Sequence, residues 1–154
     1  LVRNIHLQLD AGAEKVMILD SGVGNMSESY FKKHYVNTLQ PMIQTDTGYY
    51  TQHLNSRCLP TLYKMGWAGI GIDSTVDIVN TFKKYKDGFI QGNFDEQLLL
   101  LPKEECRSHI EEFLNTMQTV DRTGWICGLG HGINKTTPEE NVQMFVRMVR
   151  ERFK

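Results

Sequence analysis

Three cysteines and four prolines are all that this 154-residue chain has of either. Cys58, Cys106 and Cys127 are odd in number and share no tight spacing. That argues against a disulfide framework and predicts reduced thiols, as in a cytosolic protein. The prolines are scattered, so there is no Pro-rich linker, and no segment is of low complexity. Charge of either sign is not in excess: 17 Lys+Arg stand against 18 Asp+Glu, for a net charge of -1. This balance does not suggest a general nucleic-acid or anionic-membrane binder. No apolar run approaches the roughly 20 residues that a membrane-spanning helix needs. Hairpin signals are missing as well. What remains is an ordinary globular composition, 40% hydrophobic and 23% charged, and a length that suits one domain, residues 1–154, with a sizeable core.

The richest stretch is Trp125-Ile126-Cys127-Gly128-Leu129-Gly130-His131-Gly132, running on to Thr137-Pro138-Glu139-Glu140-Asn141. The first five residues predict a short strand buried on both faces. Gly128, Gly130 and Gly132 clear the space around His131; glycine there permits positive φ and the close approach of a ligand. Thr137 as cap, Pro138 at the first helical position and Glu140 three residues after Thr137 predict a capping box. Val142, Phe145, Val146, Val149 and Phe153 then mark one helical face.

The same grammar repeats along the chain. Residues 1–11 predict the end of a helix closed by Gly12, and a helical pattern that opens on Leu1 without a cap predicts a piece of a longer protein. Residues 15–20 predict a buried strand, followed by a helix capped at Ser27, with Phe31, Tyr35, Leu39 and Met42 inward and Pro41 dividing it. Residues 48–53 give the weakest strand pattern, and a short helix over 56–65 follows, closed by Gly66. Residues 67–73 predict a strand, with Ser74 or Thr75 capping a helix that carries Val76, Val79, Phe82 and Tyr85. Residues 89–93 predict another strand, Phe94-Asp95 a loop, and 102–117 a helix burying Cys106, Ile110, Phe113, Leu114 and Met117. Five strands alternating with amphipathic helices imply an α/β fold with parallel strands and right-handed crossovers. Small and polar residues gather after each strand: Asp20-Ser21, residues 53–55, Asp73-Ser74, Gln91-Gly92-Asn93 and Gly130-His131. That end carries the chemistry in parallel α/β folds.

Four of these segments resemble a known family. Gly128-Leu129-Gly130-His131-Gly132 with 137–142 resembles the C-terminal signature of uroporphyrinogen decarboxylases. Residues 91–95, Gln-Gly-Asn-Phe-Asp, resemble that family's Gln-Gly-Asn-Leu-Asp motif. Residues 69–76 resemble its Gly-Leu-Asp-Trp-Thr-Val strand end, with Ser74 where Trp is usual. Asp20-Ser21 with Gly24 resembles its acid-Ser-x-x-Gly loop. From 50 to 57 the sequence departs from the pattern. The resemblance implies the C-terminal part, about five β/α units, of a TIM-like (β/α)8 barrel. It implies an enzyme of haem biosynthesis that removes carboxyl groups from the four acetate side chains of uroporphyrinogen, without metal or organic cofactor, and that is usually a homodimer. The family's N-terminal arginine-rich loop, its pyrrole-binding aspartate and a tyrosine have no counterpart here.

By this resemblance the tetrapyrrole-facing residues are His131 and Ser21. His131 would hydrogen-bond a substrate carboxylate or assist proton transfer, since histidine is the side chain that titrates near neutrality. Ser21 would donate one hydrogen bond to a carboxylate. A lone loop histidine, or a serine in a helix-entry turn, is more often structural; the motifs around them shift that balance. Asp73, Gln91, Asn93 and Asp95 read as residues that shape loops, because a carboxylate or amide at a strand end commonly holds a neighbouring turn. No metal site is expected. The competing reading is a zinc-dependent methyltransferase acting on corrinoids or thiols. It needs soft ligands that Cys58, Cys127 and the His53-Leu54-Asn55 stretch do not obviously supply. A phosphate-cradling role for the glycine loop lacks the Gly-x-Gly-x-x-Gly spacing and a following Lys-Ser/Thr. A third reading is a non-catalytic remnant that binds a tetrapyrrole. A five-unit sheet cannot close, so open edges predict either a missing N-terminal half or a homo-oligomer. On the family reading, the isolated chain is expected to be inactive.

Overall fold

A computed structural model describes residues 1–53 and 57–154. In chain order, α1 (Val2–Asp10) leads to β1 (Val16–Asp20), α2 (Glu28–Tyr30) and a π-helical turn, Phe31–Tyr35, that runs into α3 (Val36–Leu39). Then come β2 (Thr47–Thr51), α4 (Leu59–Lys64), β3 (Gly69–Gly71) and α5 (Ile78–Lys84). β4 (Phe89–Phe94), a 3-10 segment Glu96–Leu100, α6 (Lys103–Gln118), β5 (Trp125–Leu129) and α7 (Glu139–Arg152) complete the chain. The sheet order is β1-β2-β3-β4-β5, every pair parallel. Sequential parallel order is what repeated right-handed β/α units produce.

The register sorts side chains into two faces. Leu19, Tyr50, Gly71, Gln91 and Ile126 form one row across all five strands. Met17, Gly48, Gly69 and Phe89 form the row below it. These are the inner face. Between them, Ile18, Tyr49, Ile70 and Ile90 point the other way, toward the helices. There the main core collects Val16, Tyr49, Ile70, Ile72 and Ile90 with Phe31, Leu39 and Leu62. A second cluster, around Phe94, Ile110, Leu114, Met144 and Phe145, joins α6 and α7.

The inner face is filled differently. A Cβ on Gly69 would overlap the Phe89 ring, and one on Gly71 would come within 2.9 Å of the Tyr50 ring. Large rings from β2 and β4 thus lie over glycines of β3, and Phe89 with Met17 closes the lower end. The sheet also curls. β2 and β5 stand three strands apart, roughly 14 Å if flat, yet the Tyr50 hydroxyl donates a 2.8 Å hydrogen bond to the Gly130 carbonyl beyond β5.

Several expectations are corrected. β1 and β5 are not buried on both faces: Leu19 is 76% exposed and Ile126 44%, because they sit on the inner face of an open sheet's two outermost strands. The α5 cap is Asp77, whose carboxylate accepts from the Asn80 N–H at 3.0 Å. Ser74 and Thr75 are not the cap: Thr75 is engaged with Asp73, and the helix begins at Ile78. The capping box does not form. Pro138 holds the cap position of α7 without a side-chain bond, Glu140 pairs with Lys103 at 2.8 Å, and the buried Thr137 hydroxyl finds no partner among the described residues. Asn141 fastens this helix start instead, donating to the carbonyls of Leu99 (2.9 Å) and Leu101 (3.0 Å). On α7, Val146 is exposed, and Met144 and Met148 take the buried positions. Phe94 belongs to β4, not to a loop. α4 begins at Leu59, and Ser56, where the sequence placed its start, lies outside the described residues, as does the 54–55 part of the polar segment after β2.

Candidate functional site

All five strands point their C-terminal ends the same way, and a cleft of about 610 Å³ opens there. Met17, Leu19, Asp20 and Ser21 line it from β1, Tyr50 and Gln52 from β2, Gln91 from β4, and Leu129, Gly130, His131 and Gly132 from β5. The sheet's curl is what lets its first and last strands share one cleft. Ser21 and His131, far apart in sequence, therefore face the same space. Met17, Leu19 and Leu129 give it apolar lining, and Ser21, Tyr50, Gln52, Gln91 and His131 add hydroxyl, amide and imidazole groups. Among the described residues no Lys or Arg lines it, and Asp20 is the one carboxylate that does.

Asp20 is the best-held of these groups. It accepts from the hydroxyls of Tyr35 at 2.5 Å and Tyr49 at 2.6 Å, and from the Gly22 N–H at 2.6 Å. Burial pushes its carboxyl upward, but the bonds from Tyr35, Tyr49 and Gly22 outweigh that and hold it below the ordinary value of 3.8. The same contacts, with burial as the larger cause, push the Tyr35 phenol up to about 12 and raise that of Tyr49 further. Three donors thus fix the end of β1, and with it the residue that follows, Ser21.

Asp73 is buried and shapes the loop after β3. One carboxylate oxygen accepts from Thr75 N (3.0 Å) and Thr75 Oγ1 (2.5 Å), and the other from the His53 N–H. Asn93 donates to the carbonyls of Asp73 (2.8 Å) and Val76 (2.7 Å). Asp95 caps the 3-10 segment through the Gln97 N–H at 2.9 Å. None of these three lines the cleft; Gln91 does.

His131 is exposed, and its Nδ1 lies 3.3 Å from the Gly132 carbonyl oxygen, a long contact that anchors the ring weakly. The glycines beside it were expected to supply positive φ. They do not: the positive-φ glycines of the described residues are Gly12, Gly66, Gly88, Gly92 and Gly124. Gly130 serves by lacking a side chain, since a Cβ there would stand 2.5 Å from the Ser74 backbone nitrogen. Tyr50 was not singled out from the sequence. The available signal was its place opposite Gly71, an aromatic across from a glycine on one sheet face.

Cys58 and Cys127 pack in different clusters, Cys58 in the main core and Cys127 against the second. Burial raises both thiols, that of Cys127 to about 12. Among the described residues, no three His, Cys, Asp or Glu side chains converge as a metal-binding group.

The sequence profile described as Uroporphyrinogen decarboxylase (URO-D) matches residues 1–152. A uroporphyrinogen decarboxylase of Carboxydothermus hydrogenoformans is 33% identical over 156 residues, covering 97% of this chain and 44% of that protein. One from Solibacter usitatus is 35% identical over 154 residues, covering 95% and 44%. This chain spans less than half the length of these curated relatives. Among solved structures, a methyltransferase from Methanosarcina mazei superposes with a TM-score of 0.80 at 18% identity, over 99% of this chain and 46% of that one. That likeness concerns the fold: about five β/α units of a TIM-like barrel. By its matched profile and its curated relatives, the chain belongs to the uroporphyrinogen decarboxylase family.

Proposed function

We propose that this chain forms the carboxylate-orienting part of a uroporphyrinogen-binding site, with Ser21 and His131 facing the substrate. The observation that carries this reading is the single cleft onto which the β1 and β5 loops bring both residues. Apolar walls suit a pyrrole macrocycle. The Ser21 hydroxyl suits a side-chain carboxylate as a hydrogen-bond donor. Decarboxylation leaves electron density on the carbon that loses CO2. A histidine at that edge is suited to bind the departing carboxylate or to carry the proton that replaces it.

Among the described residues no Lys or Arg lines this cleft, although uroporphyrinogen carries at least four carboxylates. Asp20 would repel them. Binding energy and charge compensation must come largely from cationic groups outside this chain. The isolated 154 residues are therefore expected to bind a carboxylated tetrapyrrole weakly and not to turn it over. Fluorescence titration with uroporphyrin tests binding, and anaerobic incubation with uroporphyrinogen tests turnover. Binding that weakens on Ser21→Ala and His131→Ala, with no coproporphyrinogen formed, is the expected result. Turnover by this chain alone, or binding indifferent to both substitutions, would contradict the reading. Zinc-dependent methyl transfer fits the described residues less well, because Cys58 and Cys127 lie in separate clusters.

A further inference from the structure

Gly130 is where the C-terminal ends of four strands meet. Its N–H donates to the Phe94 carbonyl at the end of β4, at 2.7 Å. Its carbonyl accepts from the Tyr50 hydroxyl at the end of β2, at 2.8 Å. Its Cα packs against the Ser74 backbone after β3, so closely that no side chain fits. His131 follows directly. The Gly130 carbonyl and the His131 N–H belong to one planar peptide unit, so whatever fixes that carbonyl also fixes the direction in which the chain enters His131.

We propose that Tyr50 is a positioning residue for His131: its hydroxyl locks the Gly130–His131 peptide and so aims an otherwise weakly anchored imidazole over the cleft. The ring of Tyr50 lies over Gly71 on the inner face and reaches across three strands. A phenylalanine would fill that space as well, so packing alone does not call for the hydroxyl. Burial, followed by the nearby charges of Asp73 and Glu96, pushes the Tyr50 phenol up to about 12, which keeps it a donor throughout the physiological range. Gly130 is buried, and a carbonyl left without a donor in a buried residue is costly.

The functional weight of this tie rests on His131 facing the substrate; the tie itself does not. The test is Tyr50→Phe in the 154-residue chain, with ring-15N histidine labelling and uroporphyrin as the probe. The expected spectrum has shifted His131 ring signals and amide exchange at Gly130 and His131 at least tenfold faster, while Tyr49 and Ile70 amides are unchanged. Uroporphyrin affinity should fall severalfold, and Tyr50→Phe should add nothing in a His131→Ala background. Unchanged His131 ring signals and Gly130 exchange would overturn the proposal, as would additive losses of affinity in the double variant. If the unsubstituted chain does not bind uroporphyrin, the proposed function fails and the spectrum alone decides the tie. If Tyr50→Phe does not fold, the unsubstituted chain decides it: the Tyr50 hydroxyl proton must be protected from exchange and show an Overhauser contact to the Gly130 α protons, and a freely exchanging hydroxyl would refute the tie.

Discussion

The two faces of the sheet are built on opposite rules. The outer face is packed tightly with β-branched and aromatic side chains: Tyr49 is fully buried, Ile72 is 1% exposed and Ile90 4%. The inner face has glycines at Gly48, Gly69 and Gly71, with long side chains reaching across them, and at its margins it leaves Leu19 and Ile126 open. One face spends its residues on stability. The other leaves room at the C-terminal end of the strands, where Ser21, Tyr50, Gln91 and His131 gather. The division follows the strand's period of two, since successive side chains serve opposite faces.

Truncating and enlarging side chains should therefore have opposite effects on the two faces. The largest loss is expected on the outer face: Ile72→Ala should cost about 2–5 kcal/mol in denaturant unfolding. The matching truncation on the inner face, Leu19→Ala, should stay within about 0.5 kcal/mol, because little of Leu19 is buried. A comparable loss at both sites would erase the distinction. Enlargement reverses the order. Gly69→Ala would force the Phe89 ring aside and should cost about 1–3 kcal/mol by overpacking.

Gly130→Ala tests the cleft end of the inner face. Its new methyl would press on the Ser74 backbone, a partner that cannot rotate away. A loss of about 1–3 kcal/mol should accompany loss of uroporphyrin binding, read by calorimetric melting and fluorescence together. Full binding by this variant would show that the loop tolerates displacement.

Asp20 sits where the two faces meet, tied outward to Tyr35 and Tyr49 while bordering the cleft. Its folded carboxyl lies below its ordinary value of 3.8. Its stabilising contribution is therefore complete above that ordinary value and is lost as pH falls through the lower, folded one. Asp20→Asn should cost about 1–2 kcal/mol at neutral pH and should flatten the acid limb of stability below pH about 4. An unchanged acid limb would mean that the tyrosine contacts do not hold the ionised form.

How much of this was legible in the sequence depended on whether the deciding contact was local. The alternation of strands and helices, the cap at Ser27 and the turn at Gly66 are written within a few residues and could be read directly. The motifs after β1 and β5 could be picked out as well, because small residues around Ser21 and His131 are a local signal. The exposure of Leu19 and Ile126 was not legible. An apolar strand reads the same whether both its faces are covered or one borders an open cleft. The capping box at Thr137 had the right spacing, but Lys103, distant in sequence, draws Glu140 away, and Asn141 anchors the helix to the carbonyls after β4. Tyr50 was missed for the same reason: its partner, Gly130, is 80 residues away in the chain.

On the proposed function, the open end of the inner face receives a carboxylated tetrapyrrole between the β1 and β5 loops. Mapping backbone amide shifts while uroporphyrin is titrated into the 15N-labelled chain tests it most directly. Shifts concentrated at Ser21, Gln52, Gln91, His131 and Gly132, and saturating together, are the expected result. Shifts centred on the outer helices, or none at the β1 and β5 loops, would contradict it.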